Sequence, residues 1–375
     1  MTEATGIDQA RPAARQRRPG PAAPLNADDR PPAELGPGEW LSAHVYYAGD
    51  RDPLLGECVG PLFERLRAEG LADCCFFLRH WLEGPHVRLR ARPTGTDAIP
   101  ALTAAIEEAV GDFLRRRPSV YDPAADLTDE QYRERFRLEF SDAQWDARYG
   151  PDTVRMPRRP NDSLAYLGYQ PELERYGGPA GVALSEWHAD RSSSLVASLL
   201  ASANTQVGSV RLGLAAQLTA TLALTVLGDT ERTVSFFERR MADWEPLFKE
   251  RYGTYAAAYR RMAGPVGDKV EALHAGVLGG RPDRLTGFLR RWAEHGAELR
   301  ARIDEEARRG ALVFPAGDGT GSPVPVDAGT ARAALLAGFV HMGCNRLGVT
   351  VGNEDYLAYL LRRALRERVG QLPAD

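Results

Sequence analysis

Lysine is almost missing from this chain. Of 47 basic residues only Lys249 and Lys269 are lysines, which leaves 45 arginines. Schiff-base catalysis and a phosphate-loop lysine therefore have almost no candidates. Cysteine is scarce too: Cys58, Cys74, Cys75 and Cys344 include no C-x-x-C pair, which excludes a disulfide framework and speaks against structural zinc. No run approaches the ~20 apolar residues of a membrane span, and the N-terminus lacks the apolar core of a signal peptide. The net charge of -4 gives no global basic field, so neither membrane nor direct nucleic-acid contact is expected, and the cytoplasm is the expected compartment. H-E-x-x-H, G-x-S-x-G and the phosphate-loop signature are all absent, and Gly317, Gly319 and Gly321 miss the dinucleotide spacing. What is abundant is guanidinium. Codon bias explains much of it, but it also supplies many forks able to clamp a carboxylate.

Residues 1–38 read as a disordered tail, rich in proline and without apolar periodicity. Order is expected from Trp40, as one domain over 39–375 that is sheet-rich over 39–178 and helical over 179–375. Strands are predicted at Trp40–Tyr47, Cys74–Arg79 and His86–Arg92, with helices at Leu54–Ala68 and Ile99–Arg117 between and after them. The expected class is α+β: an antiparallel sheet lobe with a ferredoxin-like β-α-β-β-α start, packed against a mainly helical second half. Residues 119–169 read as polar, aromatic and irregular with short helical pieces. Helices are expected at 182–202, 208–227, 231–250, 282–308, 331–346 and 353–369. Phe314–Val326, rich in glycine and proline, reads as a lid or a connector.

Three constellations carry chemistry. Alternation along His86–Arg92 puts His86, Arg88, Arg90 and Arg92 on one face and Val87, Leu89 and Ala91 on the core side. Three neighbouring guanidiniums repel unless solvent or an anion compensates them, so this face is either exposed and salt-bridged or an anion-binding wall. In Glu172…Arg175-Tyr176-Gly177-Gly178 the paired glycines predict a tight turn with positive φ, with Glu172 orienting Arg175 or forming an ordinary loop ion pair. His341-Met342-Gly343-Cys344-Asn345-Arg346 falls on a strongly apolar helix. There His341 is either a satisfied core residue or a group exchanging protons near neutrality.

In this order the three constellations, with Phe76-Phe77-Leu78-Arg79 before them and Glu186 and Glu354 among them, resemble the C-terminal domain of class I lanthipeptide dehydratases. That family includes stand-alone thiopeptide-type bacteriocin biosynthesis proteins. The resemblance implies an enzyme that eliminates glutamate from glutamylated Ser or Thr of a ribosomal precursor peptide (leader plus core), leaving dehydroalanine or dehydrobutyrine. With no room for the glutamylating domain in 375 residues, it also implies a separate tRNA-dependent glutamylating subunit as partner. Carried over as catalytic are Arg88, Arg90, Arg175 and His341, with Glu172, Arg79 and Arg346 binding or orienting substrate. No metal or cofactor is implied. A second branch of the family, the pyridine synthases, joins two dehydroalanines in a formal [4+2] cycloaddition and expels water and leader. The long stretch between Arg90 and Glu172 points to that branch, while the retained arginines and histidine favour elimination. A non-catalytic subunit escorting the precursor is the alternative from another class.

Overall fold

A computed structural model of the protein describes residues 28–121, 127–316 and 321–369. The first strand, β1 (Leu41–Tyr46), leads into α1, which runs from Arg51–Pro53 through a π-helical turn at Leu54–Val59 into Gly60–Ala68. The wide turn brings Gly56 and Gly60 against residues 197–201 of a later helix; a Cβ on Gly56 would lie 3.0 Å from the Ala201 nitrogen. Next come β2 (Ala72–His80), β3 (His86–Pro93) and α2 (Ile99–Arg116), then α3 (Asp129–Glu139) and α4 (Asp142–Tyr149). Both of the last two start at a capping box, on Thr128 and Ser141. The short strand β4 (Ser163–Tyr166) completes a four-stranded antiparallel sheet of order β2-β3-β1-β4.

The expected alternation sets the two faces of this sheet. Val45, Leu89 and Phe77 point inward and join Leu62, Phe63 and Leu66 of α1 and Leu102, Ile106 and Phe113 of α2 in the main core. The irregular stretch 119–169 is better built than its composition suggested. Tyr132, Phe136, Phe140, Trp145 and Met156 close a separate small core over Trp81 and Leu82. The buried Glu83, at the β2–β3 turn with φ 63°, pins this layer through Arg148 (3.1 Å) and Arg159 (3.4 Å).

Helices make up most of the rest: α5 (Leu173–Tyr176), α6 (Gly178–Ser202), α7 (Gly208–Leu227), α8 (Thr230–Phe248), α9 (Tyr252–Val277) and α10 (Gly287–Arg308). A hairpin, β5 (Val313–Pro315) and β6 (Pro323–Pro325), precedes α11 (Ala328–Leu347) and α12 (Val351–Arg368). Six of these match sequence expectation, α10 starting later because Pro282–Arg284 forms a separate 3-10 turn. The sequence pattern missed α9, whose Gly253, Gly264, Pro265 and Gly267 interrupt the apolar period while its neighbours hold the helix in place. By length and composition α7 is apolar enough to cross a membrane. In this fold it packs against α9, α10, α11 and α12, with Leu222, Ala223, Leu224 and Val226 fully buried.

Part of the expected tail pairs with the fold: Asp29 bridges Leu167, the Arg30 N–H donates to the Tyr166 carbonyl (2.9 Å), and the 3-10 turn Pro32–Glu34 packs against α2. The part of that tail before Asp28 lies outside the described residues. At the other side, the edge of β2 meets side chains rather than a strand. Its amides at Cys75, Phe77 and Arg79 donate to Asp190 (2.9 Å), Ser193 (3.1 Å) and Asn345 (2.9 Å). Its carbonyls at Phe77 and Arg79 accept from Arg346 (3.0 Å) and Asn345 (2.9 Å).

Candidate functional site

The face of the sheet opposite the main core carries the polar groups. Register places His86, Arg88 and Arg90 of β3 beside Tyr46, His44 and Ser42 of β1 and beside His80, Leu78 and Phe76 of β2. The face is covered, not open: Arg88 is 8% exposed, and His44, Tyr46 and His86 are buried. Arg88 donates from Nε to His86 Nε2 (3.3 Å) and from Nη2 to His80 Nδ1 (3.1 Å). Because His86 Nδ1 lies 2.9 Å from the Gly84 carbonyl and must donate to it, and His80 Nδ1 also accepts from the Leu82 amide, both rings are fixed as neutral acceptors. Burial and then Arg88 hold His44, His80 and His86 well below the ordinary imidazole range. Burial and Arg90 push Arg88 itself down to about 9.

Toward the other end of the same face, Arg90 lies 4.2 Å above the Tyr169 ring and 5.5 Å from that of Phe76, with its Nε buried and unbonded. Tyr169 donates its hydroxyl to Glu186 (2.9 Å), and burial holds the Glu186 carboxyl above its ordinary range. Arg175 donates to Glu172 (2.8 Å), and Glu172 sits within electrostatic reach of both Arg88 and Arg90. The structure therefore gathers Arg88, Arg90, Glu172 and Arg175 in one place, with Tyr169, Tyr176 and Glu186 around them.

The paired glycines make this possible. Gly177 (φ 76°) ends α5 and Gly178 (φ 87°) opens α6, while a Cβ on Gly177 would stand 2.7 Å from the Phe314 ring of the hairpin. Tyr176, one residue earlier, then stacks on Phe339, and Gly338 lets it approach α11. Gly177→Ala is expected to cost at least about 1–2 kcal/mol, from the left-handed backbone alone, as a lowered urea midpoint. An unchanged midpoint would mean that the turn relaxes freely.

Two expected substrate residues are tied into the framework. Arg79 pairs with the buried Asp52 (2.6 Å) and donates to the Arg346 carbonyl (3.0 Å), so its fork is engaged within the fold. Arg346, 2% exposed, is anchored through Nε to the Phe77 carbonyl and to Ser193 (3.1 Å). Its charge has no carboxylate partner among the described residues, and Tyr176 and Arg90 are the charged or titratable groups that most affect it, with burial first.

His341, two residues after Phe339 on α11, is engaged from α12. Its Nδ1 is 3.0 Å and 3.1 Å from the two oxygens of Glu354 on α12, and Arg240 of α8 lies 3.5 Å from the same carboxylate. Among the described residues no hydrogen bond, ion pair or ring contact joins His341 to Arg90 or Arg175. Three relevant residues escaped the sequence reading: Arg51, Trp81 and Arg135. Nothing in their local pattern separates them from the many other arginines and aromatics of the chain.

Comparison with known proteins decides the family. Residues 40–365 match the family described as lantibiotic biosynthesis dehydratase, C-terminal. The chain belongs to that family. Among solved structures this dehydratase C-terminal family member is similar to a pyridine synthase, TbtD, from thiomuracin biosynthesis. The likeness has 22% identity and a TM-score of 0.66 and covers 88% of this chain and 98% of that one. It is also similar to TsrL (15% identity, TM-score 0.60, covering 88% of this chain and 95% of the other). The tRNA-dependent lantibiotic dehydratase MibB from Microbispora sp. 107891 aligns at 19% identity with a TM-score of 0.49, over 88% of this chain and 28% of that one. No curated protein sequence matches the chain. These structural likenesses concern the fold, and the family places the protein in the biosynthesis of ribosomally made, modified peptides.

Proposed function

We propose that this protein is the pyridine-forming branch of its family, acting on a precursor peptide already dehydrated to carry dehydroalanines. The observation that carries this reading is the ordered α3–α4 layer between Arg90 and Glu172, because extra length there is a feature of the cyclising branch in the family resemblance. Glutamate elimination needs a base beside the same bound group whose carboxylate the arginines hold. Here His80 and His86, beside the arginines, are engaged as neutral acceptors of Arg88, while Glu354 orients His341 through Nδ1, the arrangement in which Nε2 is the nitrogen left to act.

The cyclisation is redox-neutral. An amide tautomerises to its iminol, two carbon–carbon bonds close the ring, and water and then the leader (as its amide) depart as the ring aromatises. The proton must move on and off amide oxygen without a strong acid. A carboxyl that burial pushes above its ordinary range suits that task better than an exposed one, because its acid form is easier to reach near neutral pH. Glu186, oriented by the Tyr169 hydroxyl, has that character, and Arg90 above Tyr169 offers a guanidinium N–H to charge building on the oxygen.

Incubation of purified protein with dehydrated precursor is expected to give, by mass, a macrocycle that has lost water and a released leader. Glu186→Gln is expected to lower that turnover by about 10²-fold or more while leaving peptide binding in place. Glutamate elimination is the second reading, favoured by the gathering of Arg88, Arg90, Glu172 and Arg175. Loss of glutamate from a glutamylated precursor, abolished in His341→Ala and Arg88→Lys, would replace the cyclase with it.

A further inference from the structure

At the His80 end of the polar sheet face, two arginines outside the cluster described above border a stacked pair of rings. His80 and Trp81 lie parallel, with ring centroids 6.1 Å apart and planes 6° from each other. Arg135, exposed on α3, holds its guanidinium 4.8 Å from the Trp81 ring. Arg51, at the start of α1, is half-buried and donates one long hydrogen bond, 3.4 Å, to the His80 carbonyl. Three acids stand nearby, and each has hydrogen-bond partners other than Arg51 and Arg135. Asp52 is consumed by Arg79 and Arg211, the Asp50 side chain bonds the Asp52 amide and Gln206, and Glu139 accepts from the Trp81 indole (3.1 Å). Among the described residues neither Arg51 nor Arg135 has a carboxylate within ion-pair distance.

Two guanidiniums left without an acid, one of them partly withdrawn from water, repel each other and lose hydration. Burial and the charges of Arg79 and Arg135 push Arg51 down to about 10. An incoming anion relieves both costs, and the planar forks suit a carboxylate. We propose that Arg51 and Arg135, flanking the His80–Trp81 pair, form a subsite for a carboxylate of the precursor peptide. The subsite rests on the reading that this chain handles such a peptide, not on which ring or alkene it makes. The carboxylate comes either from an acidic side chain of the leader or from the C-terminus of the core, and the cluster recognises the chemistry they share.

The test uses the full chain and fluorescein-labelled dehydrated precursor in three forms: the parent, a C-terminal carboxamide, and one with leader Asp and Glu changed to Asn and Gln. Anisotropy should show parent affinity falling about tenfold or more in R51Q/R135Q. It should also show one neutralised peptide binding wild type as weakly, with no further loss in the double variant; which peptide that is identifies the source. Because Arg135 is exposed, R135Q alone keeps the readout if the double variant does not fold. It should weaken parent binding about threefold and flatten its salt dependence. Parent affinity within twofold of wild type in R51Q/R135Q, or equal affinity of all three peptides for wild type, overturns the subsite. Mass analysis of the same mixtures separates the two ideas. Absent cyclisation with the binding difference intact defeats the reaction proposed above and leaves the subsite, and normal cyclisation with no binding difference does the reverse.

Discussion

Asp52→Ala is expected to cost the fold about 3–5 kcal/mol, the range for removing one partner of a buried charge network. Asp52 is 3% exposed and accepts from Arg79 (2.6 Å), Arg211 (2.8 Å) and Thr205 (2.8 Å). Despite burial, which works the other way, Arg79, Thr205 and Arg211 hold its carboxyl below the ordinary range. The two arginines extend the network. Arg79 donates to the Arg346 carbonyl and Arg211 to that of Leu347 (2.7 Å), so one carboxylate holds the end of β2 and the C-terminus of α11 together. Without it, two guanidiniums face each other with nothing between them. Urea unfolding measures the loss, and Arg79→Ala should show a similar cost with peptide affinity of the folded protein nearly unchanged. A cost below about 1 kcal/mol, the worth of a surface pair, would contradict this account and return Arg79 to the substrate.

Acidification is expected to unfold the protein well before its carboxylates titrate. His44, His86 and His188 are each at most 2% exposed, and burial holds all three well below the ordinary imidazole value. Arg88 adds to this for His44 and His86, and His295, 2.9 Å away, for His188. In the unfolded chain they take up protons near pH 6.5. Below that pH the unfolded state binds more protons than the folded one, so stability is complete above about pH 6.5 and falls as the pH drops. Each imidazole removes up to about 1.4 kcal/mol by pH 5.5, and the three together up to about 4 kcal/mol. Melting temperatures across this window should fall steeply, less so in His44→Gln. A flat profile would mean that these rings protonate inside the fold.

Much of the architecture was legible because its signals are local. The alternation of Val87, Leu89 and Ala91 against His86, Arg88 and Arg90 gave both the strand and its two faces, and the paired glycines after Tyr176 gave a positive-φ turn. What escaped depends on distant partners. No short pattern tells that α9 tolerates Pro265, or that Arg79 is spent on an aspartate 27 residues earlier. The same applies to the site. Arg88, Arg90, Glu172 and Arg175 meet as their order suggested, yet the partner of His341 is set by how α11 and α12 pack, and Arg51 and Arg135 come together only once α3 lies over Trp81.

The side chains that occupy the free margin of β2 also limit how a peptide can be held. Its N–H groups at Cys75, Phe77 and Arg79 are already given to Asp190, Ser193 and Asn345, and these side chains with Arg346 stand where a visiting backbone would lie. Recognition by strand addition, which reads a ligand through its main chain, is closed along that margin. Selection of the precursor there has to come from its side chains and termini, so discrimination among precursors should follow their charge and shape rather than their tendency to extend.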